Sequence, residues 1–186
     1  MHKILNMRQI ILIAEAGDFI GEKKLIAQHL NGEWQDGKWQ MADGSLWEVL
    51  VTGVGAINVM QTLRDIPRDT RLINIGYAGS ANFDIGSIVV VTESRLNHPE
   101  VQYPEPKLCL EPTPPSYLRH AEDCIMATCY SNTDFVLQSN YKDCVFDMEL
   151  AYIAGLGFEH LSSIKIVSDN LSLHTYREVA AGVEKS

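Results

Sequence analysis

The stretch that most constrains the fold runs from Asp143 to Leu156, DCVFDMELAYIAGL, where two carboxylates, Asp147 and Glu149, interrupt an otherwise apolar segment. Val145 and Phe146 have the β-branched and aromatic character of a strand end, whereas Leu150, Ala151, Ile153 and Ala154 recur at helical spacing. The acids therefore fall at a strand-to-helix turn. A carboxylate in that position has two readings. It caps the free N–H groups of the first helical turn, where the helix dipole favours negative charge. Alternatively, at the carboxyl end of a buried strand in an α/β protein, it accepts hydrogen bonds from the hydroxyls of a ligand.

The pattern returns about 20 residues later, a spacing that accommodates one helix and the next strand of a βα unit. Ile164 to Val167 reads as a strand and Ser168-Asp169-Asn170 as its polar end. If the two strands run parallel, Glu149 and Asp169 meet at one edge of the sheet, which points to an active site. Capping of the helix that begins near Leu171 is the structural alternative for Asp169.

The rest of the chain alternates in the same way. Ile10 to Ala14 is an unbroken apolar run, the mark of a central strand covered on both faces, and it leads into Glu15-Ala16-Gly17-Asp18. Phe19 to Leu30 predicts an amphipathic helix stopped by Asn31-Gly32. The tryptophans and the Asp36-Gly37 and Asp43-Gly44 turns between Trp34 and Trp47 predict a hairpin. Leu46 to Thr52 is a further strand, followed by Gly53-Val54-Gly55-Ala56 and a helix from Ile57 to Leu63. Arg71 to Ile75 runs into the glycine turn Gly76-Tyr77-Ala78-Gly79-Ser80, and Asp84-Ile85-Gly86-Ser87 turns the chain into a strand over Ile88 to Thr92. Six of the seven prolines fall between Pro99 and Pro115, so Asn97 to Pro115 reads as a loop. Cys124 to Tyr130 and Asp134 to Leu137 are strand-like, and Leu171 to Val183 is helical.

This alternation gives an α/β fold: a three-layer α/β/α arrangement around a mixed, largely parallel central sheet, in a single domain over residues 1–186. A net charge of -9 argues against nucleic acid or an anionic membrane as the partner and leaves a small soluble substrate. No apolar run reaches the ~20 residues of a membrane span, and the N-terminal segment lacks the body of a signal peptide, so a cytoplasmic location is expected. The four cysteines show no Cys-x-x-Cys pair and no histidines at zinc-ligand spacing, so no metal site and no cofactor is expected.

Six ordered motifs together resemble a known family. They are Gly53-Val54-Gly55, Asn74 to Gly79, Asp84 to Val90, Thr133-Asp134-Phe135-Val136, Asp147-Met148-Glu149 and Val167-Ser168-Asp169. The chain from about Ile10 to Tyr176 is similar to the nucleoside phosphorylases and nucleosidases, most closely the methylthioadenosine/S-adenosylhomocysteine nucleosidases. The resemblance implies a purine nucleoside N-ribosyl hydrolase working on a small-molecule nucleoside. Met148 and Glu149 then clamp the ribose, Phe135 stacks on the purine and the Val136 backbone reads its edge. Asp169, supported by Ser168, is the general acid that protonates the base. Asp18 falls where the nucleosidases carry a glutamate that positions the attacking water, and is one methylene shorter. Tyr77, Ala78 and Gly79 belong to the substrate-binding turn, with Tyr77 in place of a small residue. The resemblance also implies a homodimer, with Asn97 to Pro115 near the contact.

The chemistry demands such a set independently. Breaking an N-ribosyl bond builds positive charge on the sugar and negative charge on the purine, so the site needs an acid near the base and an anion near C1′. A phosphorylase would instead hold a phosphate dianion with arginine. Here Asn74 precedes the Ile75-Gly76 turn and no arginine lies near Asp18; Arg95 and Lys165 remain as candidate anion ligands. Phosphorolysis, and nucleoside binding without turnover, are the alternatives to hydrolysis.

Overall fold

Alternate residues of the first strand face two different cores: Ile11 and Ile13 pack into one, Ile10 and Leu12 into the other. That is the burial expected of a strand covered on both sides. The computed structural model describes residues 7–15, 17, 21–97 and 108–182. Asp18, the start of the helix expected from Phe19 and most of the proline-rich loop lie outside the described residues.

The elements in chain order are β1 (Gln9–Ile13), α1 (Lys23–His29), β2 (Gly32–Gln35), β3 (Lys38–Met41), β4 (Leu46–Val51), α2 (Ala56–Leu63) and β5 (Arg71–Gly79). They continue with β6 (Ile88–Leu96), β7 (Leu108–Cys109), β8 (Ile125–Ser131), β9 (Cys144–Asp147), α3 (Leu150–Gly155), β10 (His160–Asp169) and α4 (Leu173–Ala180). The strands form one sheet in the order β10-β6-β8-β9-β5-β1-β4-β3-β2, with β7 added on β6. β5 also pairs with β10 in parallel over nearly its whole length, so β5, β10, β6, β8 and β9 close into a ring. From β5 the strands β1, β4, β3 and β2 extend as an open wing.

The fold is thus a mixed sheet flanked by helices, as the sequence led one to expect, but two features differ. The sheet is closed rather than the open middle layer of a three-layer α/β/α stack. It is also evenly mixed rather than largely parallel, since among the described residues parallel and antiparallel strand pairs occur in equal number. Two cores result. One holds Leu25 and Ile26 of α1, Trp39 and Trp47 of the wing, and Ala180 of α4; the other holds Val59 and Leu63 of α2 with Leu150 and Ile153 of α3.

Local chemistry accounts for several elements. Asp36 and Gly37 both take positive φ, which suits the tight β2–β3 hairpin whose Trp34 and Trp39 are cross-strand partners. β5 continues through Gly76 to Gly79, so the expected glycine turn is paired strand, with Gly76, Tyr77 and Ala78 opposite Lys165, Ile166 and Val167. Asp134 to Leu137, expected as a strand, is loop. Both edges of β8 are already occupied, by β6 and β9, and no free edge remains for it to pair with.

Candidate active site

The closure of the sheet converges on Gly79, which is the register partner of both Phe146 on β9 and Asp169 on β10. β9 is antiparallel to β5 and β10 parallel to it, so the two acid-bearing strands do not lie side by side in parallel as expected. Ring closure brings their ends together instead. They border a cavity of about 280 Å³. Its wall includes Tyr77, Ala78 and Gly79 of β5, Phe135 and Val136 of the loop after β8, Met148 and Glu149 before α3, and Ser168 and Asp169 of β10. Every site residue expected from the sequence lines this one cavity except Asp18, which lies outside the described residues.

Glu149 is buried and occupies the N-cap position of α3, yet its side chain makes no capping bond. It reaches across the cavity edge instead: Oε1 accepts the Gly55 N–H at 3.1 Å and Oε2 the Met148 N–H at 3.2 Å. Gly55 can present that N–H because it takes φ 85, a conformation open to glycine. Capping falls to neighbours, with Asp147 Oδ2 accepting the Leu150 N–H at 2.9 Å and Ser131 Oγ accepting the Ala151 N–H at 2.9 Å. Burial, reinforced by the nearby Asp147 charge, pushes the Glu149 carboxyl up to about 7.

Asp169 is 1% exposed and held at both oxygens. Oδ1 accepts the N–H groups of Leu171 at 2.9 Å and Ser172 at 3.3 Å, and the Ser168 hydroxyl lies 2.7 Å from Oδ2. Asp169 therefore fastens the turn before α4, while the helix cap itself is Ser172, which accepts the Thr175 N–H. Burial raises the Asp169 carboxyl above its ordinary value against the pull of these donors.

A further buried acid, Glu22, is one the sequence did not single out. Glu22 lies in what reads as an amphipathic helix, but α1 begins only at Lys23 and Glu22 points inward. Its Oε2 accepts the Ala14 N–H at 2.6 Å and its Oε1 the Tyr77 N–H at 3.2 Å, while its own N–H donates to the Glu15 carbonyl at 2.7 Å. No local sequence signal marks it, because the room for its carboxylate is made by a glycine on β5. A Cβ at Gly76 would sit 2.7 Å from Glu22 Oε1, and one at Gly79 would sit 2.8 Å from Asp169 Oδ1. Each glycine makes room for one carboxylate.

Tyr77 is packed in the core edge-to-face with Tyr176, which in turn contacts Phe135 at 5.7 Å between ring centroids. Burial and the Glu22 charge push the Tyr77 phenol up to about 12, so it is a neutral hydrogen-bonding group. Of the two candidate anion ligands, Lys165 is committed to Asp147 at 2.8 Å and Arg95 to Glu93 at 3.0 Å; neither lines the cavity. Among the described residues His120, Glu122 and Asp123 form an exposed trio with metal-compatible spacing, also away from the cavity.

No family model and no curated protein matches the sequence. Solved structures do match. The nucleosidase MTAN from Chlamydia trachomatis aligns at a TM-score of 0.68 and 18% identity, over 95% of this chain and 91% of that one. The methylthioadenosine/S-adenosylhomocysteine nucleosidase from Colwellia psychrerythraea, solved with adenine, gives a TM-score of 0.66 at 18% identity over 95% and 90%. The corresponding Streptococcal enzyme, from S. pneumoniae with a transition-state inhibitor, gives 0.66 at 18% identity over 94% of each chain. The chain has the fold of the methylthioadenosine/S-adenosylhomocysteine nucleosidases.

Proposed function

We propose that the protein is a purine nucleoside N-ribosyl hydrolase acting on a nucleoside such as methylthioadenosine or S-adenosylhomocysteine. The observation that carries this reading is the charge of the cavity. Glu15, Glu22, Asp134, Asp147, Glu149 and Asp169 stand around it, and among the described residues no Lys, Arg or His lines it. A phosphate dianion would be repelled there, whereas a sugar acquiring positive charge is stabilised. Hydrolysis is accordingly favoured over phosphorolysis.

In the mechanism Glu149 accepts the ribose hydroxyls on the lone pairs left free by its two N–H donors, and Met148 packs on the sugar. Phe135 stacks on the purine and the Val136 backbone reads its edge. Asp169 gives its proton to the base as the bond to C1′ breaks, and Ser168 orients the carboxyl. Ala78 and Gly79 form the wall on which the substrate rests. Glu22 holds and deprotonates the attacking water, a role the sequence assigned to Asp18 alone. The deep position of Glu22 in the cavity and its fixation by two N–H groups support this assignment. Residues 1–186 act as one domain, and its four free cysteines suit the reducing cytoplasm.

Incubating the purified protein with a panel of nucleosides, with and without phosphate, and separating products by chromatography tests the reading. Free base and the corresponding free sugar, which keeps any 5′ substituent, released at the same rate without phosphate are expected. Release only with phosphate would establish phosphorolysis, and tight binding with no release would establish a binding protein.

Self-association into a homodimer is part of the proposal. α2 buries Val59 and Leu63 but exposes Ile57 and Met60 at 73% and 53%, beside Val54 at the cavity mouth. A helix apolar on both faces suits a two-fold contact. Replacing Ile57 and Met60 by Asp should convert a dimer to a monomer in sedimentation velocity; an unaltered profile would exclude this face.

A further inference from the structure

Lys165 is the one lysine among the fully buried large side chains, at 1% exposure in the middle of β10. A lone buried ammonium is costly, and its cost is recovered only through well-placed partners. Its Nζ lies 2.8 Å from Asp147 Oδ2. Asp147 is itself anchored by the Leu150 N–H and the Ser131 hydroxyl. One contact uses one of the three N–H donors of the ammonium.

The register places Lys165 beside Glu22 as well. Lys165 is the β10 partner of Gly76 on β5, and partners on neighbouring strands project to the same face. The space a side chain at Gly76 would fill is taken by the Glu22 carboxylate. The ammonium stem therefore leaves the sheet next to Glu22, whereas Asp147 stands two residues from Glu149. The ion pair thus has charge contact with both acids, Lys165 with Glu22 and Glu149 and Asp147 with Glu149.

We propose that Lys165 is a positioning residue of the hydrolytic site: held by Asp147, it is the buried countercharge of the Glu22 carboxylate. This rests on the hydrolase reading only for its catalytic consequence. Burial pushes both carboxyls up and Lys165 opposes the rise at both, but at Glu149 the Asp147 and Glu22 charges add to the rise, whereas at Glu22 Lys165 acts together with the Ala14 and Tyr77 N–H donors. Two acids in one cavity thereby stand in different charge surroundings, which is how a site separates the roles of its acids. The other groups facing the pair are Cys129 on β8, whose thiol burial holds neutral, and Tyr77 and Tyr176, whose phenols are also raised by burial and by Glu22. Glu15 faces Tyr176 from the end of β1. None of these supplies a second positive charge.

The test is the ionisation of Glu22, followed by carbon-detected NMR of protein labelled at the glutamate carboxyl carbons, with Glu22→Gln assigning the signal. The acid limb of kcat/KM for nucleoside hydrolysis is measured in parallel. Lys165→Met should raise the Glu22 midpoint by about one pH unit or more and carry the acid limb upward with it, whereas Lys165→Arg should keep both within about 0.3 unit. Lys165→Met leaves Asp147 buried without a partner, so the pair Lys165→Met/Asp147→Asn serves if the single variant does not fold. In the double variant the Glu22 midpoint should still rise and that of Glu149 should fall. A Glu22 midpoint that stays in place in the folded variants, or a rate that drops equally at every pH, would overturn the proposal. A wild-type protein that releases no base would overturn the hydrolase reading instead, and the NMR titration would still decide the role of Lys165.

Discussion

Asp169 is fastened by three donors, and this makes its two possible duties separable by one substitution. Asn at this position keeps an oxygen for the Leu171 and Ser172 N–H groups, so the turn before α4 survives. What is lost is the transferable proton. Under the proposed mechanism Asp169→Asn lowers kcat by roughly 10²-fold or more while substrate affinity changes by under about 1 kcal/mol. Steady-state kinetics beside thermal melting distinguish the cases, since equal losses of turnover, affinity and stability would return Asp169 to a purely structural role. A nucleoside with a better leaving base should lose less rate, because it needs less protonation. Glu149 offers the complementary lesson at this scale. The capping reading and the ligand reading compete for it in the sequence, and the side chain spans to Gly55 rather than to its own helix.

At the scale of elements, β5 sets the depth of the site. Gly76 and Gly79 have backbone conformations within the paired strand that alanine tolerates, and on that ground alone alanine would stabilise the chain by about 0.4–1 kcal/mol through the unfolded state. The contacts predict the opposite sign. A methyl at Gly79 meets Asp169 Oδ1 at 2.8 Å and Leu171 Cδ2 at 3.2 Å, and a methyl at Gly76 meets Glu22 Oε1 at 2.7 Å. Gly79→Ala should therefore cost about 1–3 kcal/mol, the range of overpacking, and depress kcat by displacing the acid. Chemical denaturation with activity assays checks it, and a gain in stability with full activity would show that Asp169 does not depend on this glycine. The loop after β8 contributes Phe135 and Val136 without belonging to any strand. Phe135 leans on Tyr176 of α4, and Tyr141 stacks on Tyr130 of β8 at 5.0 Å, so aromatic contacts hold the loop at two points.

For the molecule as a whole, buried acids make stability depend on pH in two opposed ways. Glu149 has an ordinary value of 4.5 in the unfolded chain and one of about 7 in the fold, so between these limits the folded state keeps a proton that the unfolded state has lost. Its contribution, on the order of 3 kcal/mol, is fully present below 4.5 and is lost as pH rises through about 7. Asp147 runs the other way. Burial alone would raise it, but Lys165 and the Ser131 and Leu150 donors hold it below its ordinary 3.8, so its contribution is present above that value and is lost as pH falls through the depressed one. Melting curves between pH 5 and 8 should accordingly decline for the wild type and flatten for Glu149→Gln. Parallel curves for the two proteins would show that Glu149 carries no proton at neutral pH.

The sequence by itself determined that strands run into the two acid-bearing turns and that Glu149 and Asp169 stand there. An unbroken apolar run such as Ile10 to Ala14 must be covered on both faces, a change from strand-like to helical spacing must contain a turn, and both constraints are local enough to be read from residue types. The positions of Glu149 just beyond β9 and of Asp169 at the end of β10, the Asp36-Gly37 hairpin and α2, α3 and α4 follow from those rules. Lys165 stood out in the sequence only as a candidate anion ligand, and its pairing with Asp147 is a product of the fold. Only the tertiary structure decided that β5 pairs with β10, that the sheet closes, and that Gly79 is where β9 and β10 meet. Pairing between strands some 90 residues apart depends on edges left free by every other element, so no local pattern encodes it. Glu22 illustrates the same limit: what drew it inward is the space above a glycine on a strand more than fifty residues away, a fact that exists only once both segments are folded.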